Sequence, residues 1–240
     1  MLSEKQMSYP VLDEPRTVRV KFCKVGNLQY ISHLDLQRTI SRVLSRAGIP
    51  MWYTKGFNPH AKIVFGLPLS VGAESKCEYL DLRIDRDMPC EEIKARLNGA
   101  LTDEMCVLDA YVPEGKSVFA DIVWADYDIR IREKDLTQNM ADAVASYLTT
   151  SPLMMDKKSK SGVRQVDITT LIRSLTATVR EGELHIAATL CVSGSDYLNP
   201  EYLIRALREK FGILNEDDVH AIYSILRTKV YLADGTTEFR

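Results

Sequence analysis

Residues Thr17–Lys24, TVRVKFCK, alternate apolar and polar positions with β-branched enrichment, the period of a strand buried on one face. After a turn at Gly26-Asn27 the spacing changes. In SHLDLQRTISRVLSRAG, Leu36, Ile40, Val43, Leu44 and Ala47 recur at helical intervals, Ser32 can cap the N-terminus with Asp35 three residues on, and Gly48 ends the segment. Extended pieces are expected near residues 51–54 and 61–65, a strand at CEYLDLRI (77–84), a helix from Pro89 with Glu91 and Glu92 in its first turn, and a strand at MCVLDAYV (105–112). The order is β-α-β-β-α-β.

From Asp121 the order returns. IVWADYDIRIR predicts a strand, Leu136–Leu148 a helix, and RQVDITTLIRSLTATVREGELHIAATLCV extended runs with a hairpin at Glu181-Gly182. Asn199, Pro200 and Glu201 cap a helix carrying Leu203, Ile204, Leu207 and Phe211 and stopped by Gly212, and HAIYSILRTKVYL closes as a strand. The expected fold is α+β: two tandem ferredoxin-like (βαββαβ) units with antiparallel sheets, over residues 16–115 and 116–240. Residues 1–15, carrying Pro10 and Pro15, read as a flexible N-terminal arm.

Charge narrows the functional classes. Lys and Arg (31) nearly balance Asp and Glu (33), so a nucleic-acid partner has to be met by a local basic patch. The five cysteines, Cys23, Cys77, Cys90, Cys106 and Cys191, are odd in number, widely spaced and without a C-x-x-C pair, which reads as reduced thiols. The histidines His33, His60, His185 and His220 lack metal-ligand spacing, so no metal and no cofactor are expected. No signal-peptide core and no membrane-length apolar run occur, which places the chain in the cytoplasm, away from membranes.

Four groups of residues could carry chemistry. Arg38, Arg42 and Arg46, spaced i, i+4, i+8, fall opposite the apolar stripe of the first helix and suit either phosphate or plain solvation. His33 falls near the apolar side of the first turn, facing the sheet. There a helix N-terminus disfavours imidazolium and leaves a neutral base, with Tyr30 and Asp35 close enough to orient it. Lys55-Gly56-Phe57-Asn58-Pro59-His60-Ala61-Lys62 interleaves cations with a ring and an amide, as single-stranded RNA recognition requires, although Phe57 could equally anchor the loop in the core. Lys157, Lys158, Lys160 and Arg164 crowd the tip of an expected hairpin, where they can track a phosphate backbone or merely blunt an edge. The following Gly66–Gly72 stretch, GLPLSVG, lacks the G-K-[ST] of a P-loop and reads as a rigid turn.

Taken together, YISHLDLQR, GFNPHAKIVFGLPLSVGAES, EYLDL, VDITTLI and LNPEYLIRAL resemble the bacterial radical-SAM-linked family of uncharacterised domains over roughly residues 16–230. That resemblance implies a cytosolic accessory domain working beside a radical S-adenosylmethionine protein encoded separately. With no C-x3-C-x2-C run, the chain carries no iron–sulfur cluster of its own. At the level of fold the chain is more distantly similar to tandem ferredoxin-like CRISPR repeat-processing endoribonucleases, which cleave without metal through a histidine near the first helix. His33, with Tyr30, His60 and Lys55, would take those roles, although the glycine-rich loop typical of that group near its C-terminus is absent. The leading expectation is a non-catalytic RNA-binding (tRNA or rRNA) accessory protein. The alternatives are a metal-independent endoribonuclease and a protein-interaction domain that stabilises its radical-SAM partner.

Overall fold

Strand β1 (Val11–Lys24) begins six residues before the alternating pattern does. Pro15 interrupts the pattern but not the strand, because pairing with the antiparallel neighbour shifts register between Val11 and Arg16 and asks no ladder hydrogen bond of the proline. In this computed structural model, which describes residues 9–115, 118–150, 152–159, 162–214 and 221–240 and all their side chains but those of Lys158, Ser159 and Ser195, the expected arm is therefore shorter. The Asp87 N–H bonds the Pro10 carbonyl at 2.9 Å, Arg86 donates to the Tyr9 carbonyl at 2.9 Å, and the Arg96 guanidinium lies over the Tyr9 ring.

The chain is a mixed α+β protein that divides into two compact units, Met1–Phe119 with Arg240, and Ala120–Phe239. In the first, β1 leads through a 3-10 turn (Gly26–Tyr30) to helix α1 (His33–Arg46), whose N-cap Ser32 accepts the Asp35 N–H at 3.1 Å and donates its hydroxyl to the Asp35 carboxylate at 2.7 Å. After residues 47–62 come strand β2 (Ile63–Phe65), strand β3 (Ala73–Arg86), helix α2 (Cys90–Asn98) and strand β4 (Val107–Tyr111). The strands pair antiparallel in the order β4-β1-β3-β2. Val18, Val20, Phe22, Leu80, Leu82 and Ile84 on one sheet face pack in a single cluster with Leu36, Ile40, Val43 and Leu44 of α1 and Ile93 and Leu97 of α2, so both helices cover that face.

The second unit runs strand β5 (Trp124–Arg132), helix α3 (Gln138–Thr150), the hairpin β6 (Met154–Ser159) and β7 (Gly162–Asp167), strand β8 (Ile172–Arg180), strand β9 (Glu183–Cys191), helix α4 (Glu201–Phe211) and strand β10 (Ile222–Tyr231). Its sheet is ordered β10-β5-β9-β8, again antiparallel, with β6 and β7 forming a separate two-stranded sheet. Helix α3 sits two residues later than its periodicity predicts because the Thr137 hydroxyl accepts the Met140 N–H. The β8–β9 turn holds Glu181 and Gly182 at φ +52° and +79°, both left-handed as a tight two-residue hairpin requires.

Candidate nucleic-acid interface

Residues between α1 and β3 form the most chemically varied surface of the first unit. Trp52 and Lys62 extend the β3 ladder: the Trp52 N–H bonds the Arg83 carbonyl at 2.8 Å, the Lys62 N–H the Trp52 carbonyl at 3.1 Å, and the Arg83 N–H the Lys62 carbonyl at 3.1 Å. The chain between them bulges outward, with Tyr53 bridged to Ala61. Residues 55–60 are all exposed, and Phe57 is fully so, which removes the core-anchor alternative and leaves its ring in water between Lys55 and Lys62. At the base of the bulge, Thr17, Trp52, Lys62, Val64, Asp81, Leu82 and Arg83 line an open groove of about 340 Å³. Arg83 donates to the Thr17 hydroxyl at 3.1 Å. Among the described residues neither Arg83 nor Lys55 nor Lys62 has a carboxylate partner.

The neighbouring charge is already spent. Arg19 is 1% exposed and holds Asp81 through two parallel bonds of 2.8 and 2.9 Å, with the Phe119 ring 4.6 Å from its guanidinium carbon. Gly66 follows the end of β2, and a Cβ there would sit 3.1 Å from the Phe119 ring, so the close approach of that ring favours glycine.

His33 differs from its sequence reading. As the first residue of α1 it is exposed to solvent rather than packed beneath the helix, although its ring still faces strand β2. Its ring meets Phe65 of β2 edge to face at 5.4 Å, and Nε2 shares a hydrogen bond with the Gln37 amide at 2.9 Å. Asp35 does not orient it. That carboxylate is held below the usual carboxylate range, first by the Ser32 hydroxyl and then by Arg38. Tyr30 is 66% exposed beside the helix start. His60 bonds instead with the Thr54 hydroxyl at 3.2 Å and the Asn58 carbonyl at 3.3 Å, so the two imidazoles have separate surroundings.

The other basic groups are more committed than their spacing suggests. Arg38 pairs with Asp35 at 3.0 Å and Arg46 donates to the Ala100 carbonyl, leaving Arg42 exposed without a partner among the described residues. On the β6–β7 hairpin Lys157 stands across from Arg164, and its pKa is lowered, first by burial and then by that guanidinium. Arg164 lies 3.9 Å from Asp196. The Lys158 side chain and Lys160 fall outside the described residues, as does His220. Among the described residues no three His, Cys, Asp or Glu side chains form a metal-binding group, and no helix is long and apolar enough to cross a membrane. Trp52 and Arg83 were not singled out by sequence. The outward phase of β3 was the signal available for Arg83, whereas Trp52 joins the groove only through its backbone pairing to Arg83.

The class is a mixed α+β chain of mostly antiparallel sheet with few helices. The chain belongs to the bacterial family described as an uncharacterized protein conserved in bacteria, DUF2344, whose model matches residues 17–200. No curated protein matches it. Among solved structures it is similar to a chain of a Cbf5-Nop10-Gar1 complex at 11% identity and a TM-score of 0.46, covering 89% of this chain and 48% of that one. It thus spans about half the length of that chain. It is also similar to an unknown protein from Galdieria sulphuraria (9% identity, 89% and 99% covered, TM-score 0.27) and to DyPB from Rhodococcus jostii RHA1 (12%, 91% and 94%, TM-score 0.20).

Proposed function

We propose that the chain is an RNA-binding accessory protein, for tRNA or rRNA, that is not itself catalytic and works beside a radical-SAM enzyme. One observation carries the binding half of this reading: Phe57 stands fully in solvent on a bulge flanked by Lys55 and Lys62, above a groove holding Trp52 and Arg83. Solvating an aromatic ring of that size costs stability, and a base stacked on it with phosphates against the lysines offsets the cost. The strand orders β4-β1-β3-β2 and β10-β5-β9-β8 are the same when each unit is numbered from its own first strand, which supports reading them as tandem ferredoxin-like repeats, the second carrying β6–β7 as an insertion. The radical-SAM partner rests on the sequence resemblance alone.

Endoribonuclease chemistry is the weaker reading, since His33 and His60 neither touch nor share a hydrogen-bond partner. A domain that only stabilises a protein partner would have no use for uncompensated cations around an exposed ring. Filter binding of labelled single-stranded RNA at several salt concentrations tests the proposal. Micromolar or tighter, salt-sensitive affinity that falls at least tenfold in Phe57→Ala is expected. Affinity indifferent to salt and to Phe57, or RNA cut in EDTA by the wild type and left intact by His33→Ala, would overturn it.

A further inference from the structure

Beyond any RNA role, we infer that Cys23 and Cys106 form a reversible disulfide that staples β1 to the start of β4. The two residues are 83 apart in sequence, and their Sγ atoms stand 2.6 Å from each other. Backbone pairing holds them there independently of the sulfurs, the Cys23 N–H donating to the Cys106 carbonyl at 2.8 Å and the Val25 N–H to the Glu104 carbonyl at 2.9 Å, and the Cys106 N–H also donates to the Cys23 sulfur at 3.2 Å.

A bulge creates the juxtaposition. Along β1 and β4, Arg19 faces Tyr111, Val20 faces Ala110 and Lys21 faces Asp109, but Phe22 faces Val107, so Leu108 is the extra residue. Without that shift Val107 would stand opposite Cys23. With it, Cys106 does, on the sheet face away from the helices, within the Cα separation of directly opposed strand residues that a disulfide spans. Cys77 and Cys191 are buried and Cys90 is half-buried.

Cys106 is the more accessible of the two, and Cys23 is 7% exposed behind it. The oxidant is a low-molecular-weight disulfide such as oxidised glutathione. The deprotonated Cys106 sulfur attacks one glutathione sulfur, forming a mixed disulfide and expelling one glutathione thiolate. The Cys23 sulfur, losing its proton to solvent, then displaces the second, so two cysteine thiols are oxidised as one glutathione disulfide is reduced to two thiols. Burial and the neighbouring Cys23 push the Cys106 thiol up to about 11, which makes the first attack slow at neutral pH. The bridge closes at the root of the Gly26–Tyr30 turn: Val25 donates to the Glu104 carbonyl at 2.9 Å and Asn27 to the Glu104 carboxylate at 2.9 Å, three residues before Tyr30.

Incubating the native chain with oxidised glutathione, quenching with acid and alkylating tests the inference. Expected are the loss of two of the five titratable thiols, a mass two hydrogens lighter without glutathione adduct, and a cross-linked peptide joining Cys23 to Cys106, all reversed by dithiothreitol. Cys106→Ser should lose the cross-link and Cys23→Ser should trap glutathione on Cys106. The Cys77→Ser variant should behave as wild type. Five thiols still free after overnight exposure, a cross-link to another cysteine, or glutathione adducts alone in the wild type would each overturn it.

Discussion

The central strands of the two units carry opposite lessons in how charge is disposed. On β1, in the first unit, the positions turned away from the helices are Thr17, Arg19 and Lys21, and beside them β3 offers Arg83 and the loop offers Lys62. On β5, in the second, alternate positions are Asp126, Asp128, Arg130 and Arg132, and every one is matched. Asp126 accepts the hydroxyls of Thr189 and Tyr231, both at 2.7 Å, Arg130 holds Asp128 at 3.0 Å, and Arg132 holds Glu183. Strand order is shared, whereas among the described residues Arg83 and Lys62 beside β1 have no carboxylate partner and the four charged positions of β5 are all matched. If the chain binds a polyanion as proposed, Arg83 and Lys62 give it a reason to choose the first sheet that topology does not supply.

The largest expected effect tests what that sheet costs to build. Arg19→Met leaves Asp81 without its partner and should lower stability by about 3–5 kcal/mol, read as a shift of the urea midpoint at constant slope. Adding Asp81→Leu should recover much of the loss, because the ionic pair is then replaced by apolar contact. Arg132→Ala in the second unit removes a bridge whose arginine side chain is 66% exposed and should cost under about 1 kcal/mol. Equal losses in both units would mean that burial does not separate the two pairs.

RNA affinity sharpens the same contrast. If each lysine neutralises one phosphate of a single strand, Lys55→Ala with Lys62→Ala should reduce the slope of log affinity against log salt by about 1.4. Arg130→Ala with Arg132→Ala should leave it unchanged, their guanidinium groups being engaged by Asp128 and Glu183. A smaller slope in the second pair would move the interface to the other unit.

Much of the scaffold was legible because its signals are local. Ser32, Asp35 and the spacing Leu36, Ile40, Val43, Leu44 announce α1 within a few turns of chain, and Glu181-Gly182 announces its hairpin. The early start of β1 was hidden by Pro15, since whether a proline breaks a strand depends on a register shift that only the partner strand defines. Candidate chemistry was legible as composition and not as disposition. The Lys55–Lys62 segment stood out by residue type, but whether Phe57 turned inward or outward depended on tertiary packing. Arg19 with Asp81, 62 residues apart, and Cys23 with Cys106 come together only through strand pairing, and the second pair only through a one-residue bulge.

Helix capping gives the finest test, because α1 and α4 are capped by different chemistry. Ser32→Ala and Asn199→Ala should each cost about 1 kcal/mol, since each removes a side-chain oxygen that accepts a backbone N–H of the first turn. Only α1 adds a carboxylate to its cap. The Asp35 carboxyl titrates below its ordinary value of 3.8 in the folded chain, through the Ser32 hydroxyl first and Arg38 second, so its stabilisation is complete above the unfolded value and is lost as pH falls through the lower folded one. The stability difference between wild type and Asp35→Asn should accordingly hold constant from neutral pH down to about 5 and shrink as the pH drops below 4, whereas the cost of Asn199→Ala should not change over that range. Parallel pH profiles for the two variants would show that the Ser32–Asp35 contact contributes nothing to folding, and that the two helices start by the same means.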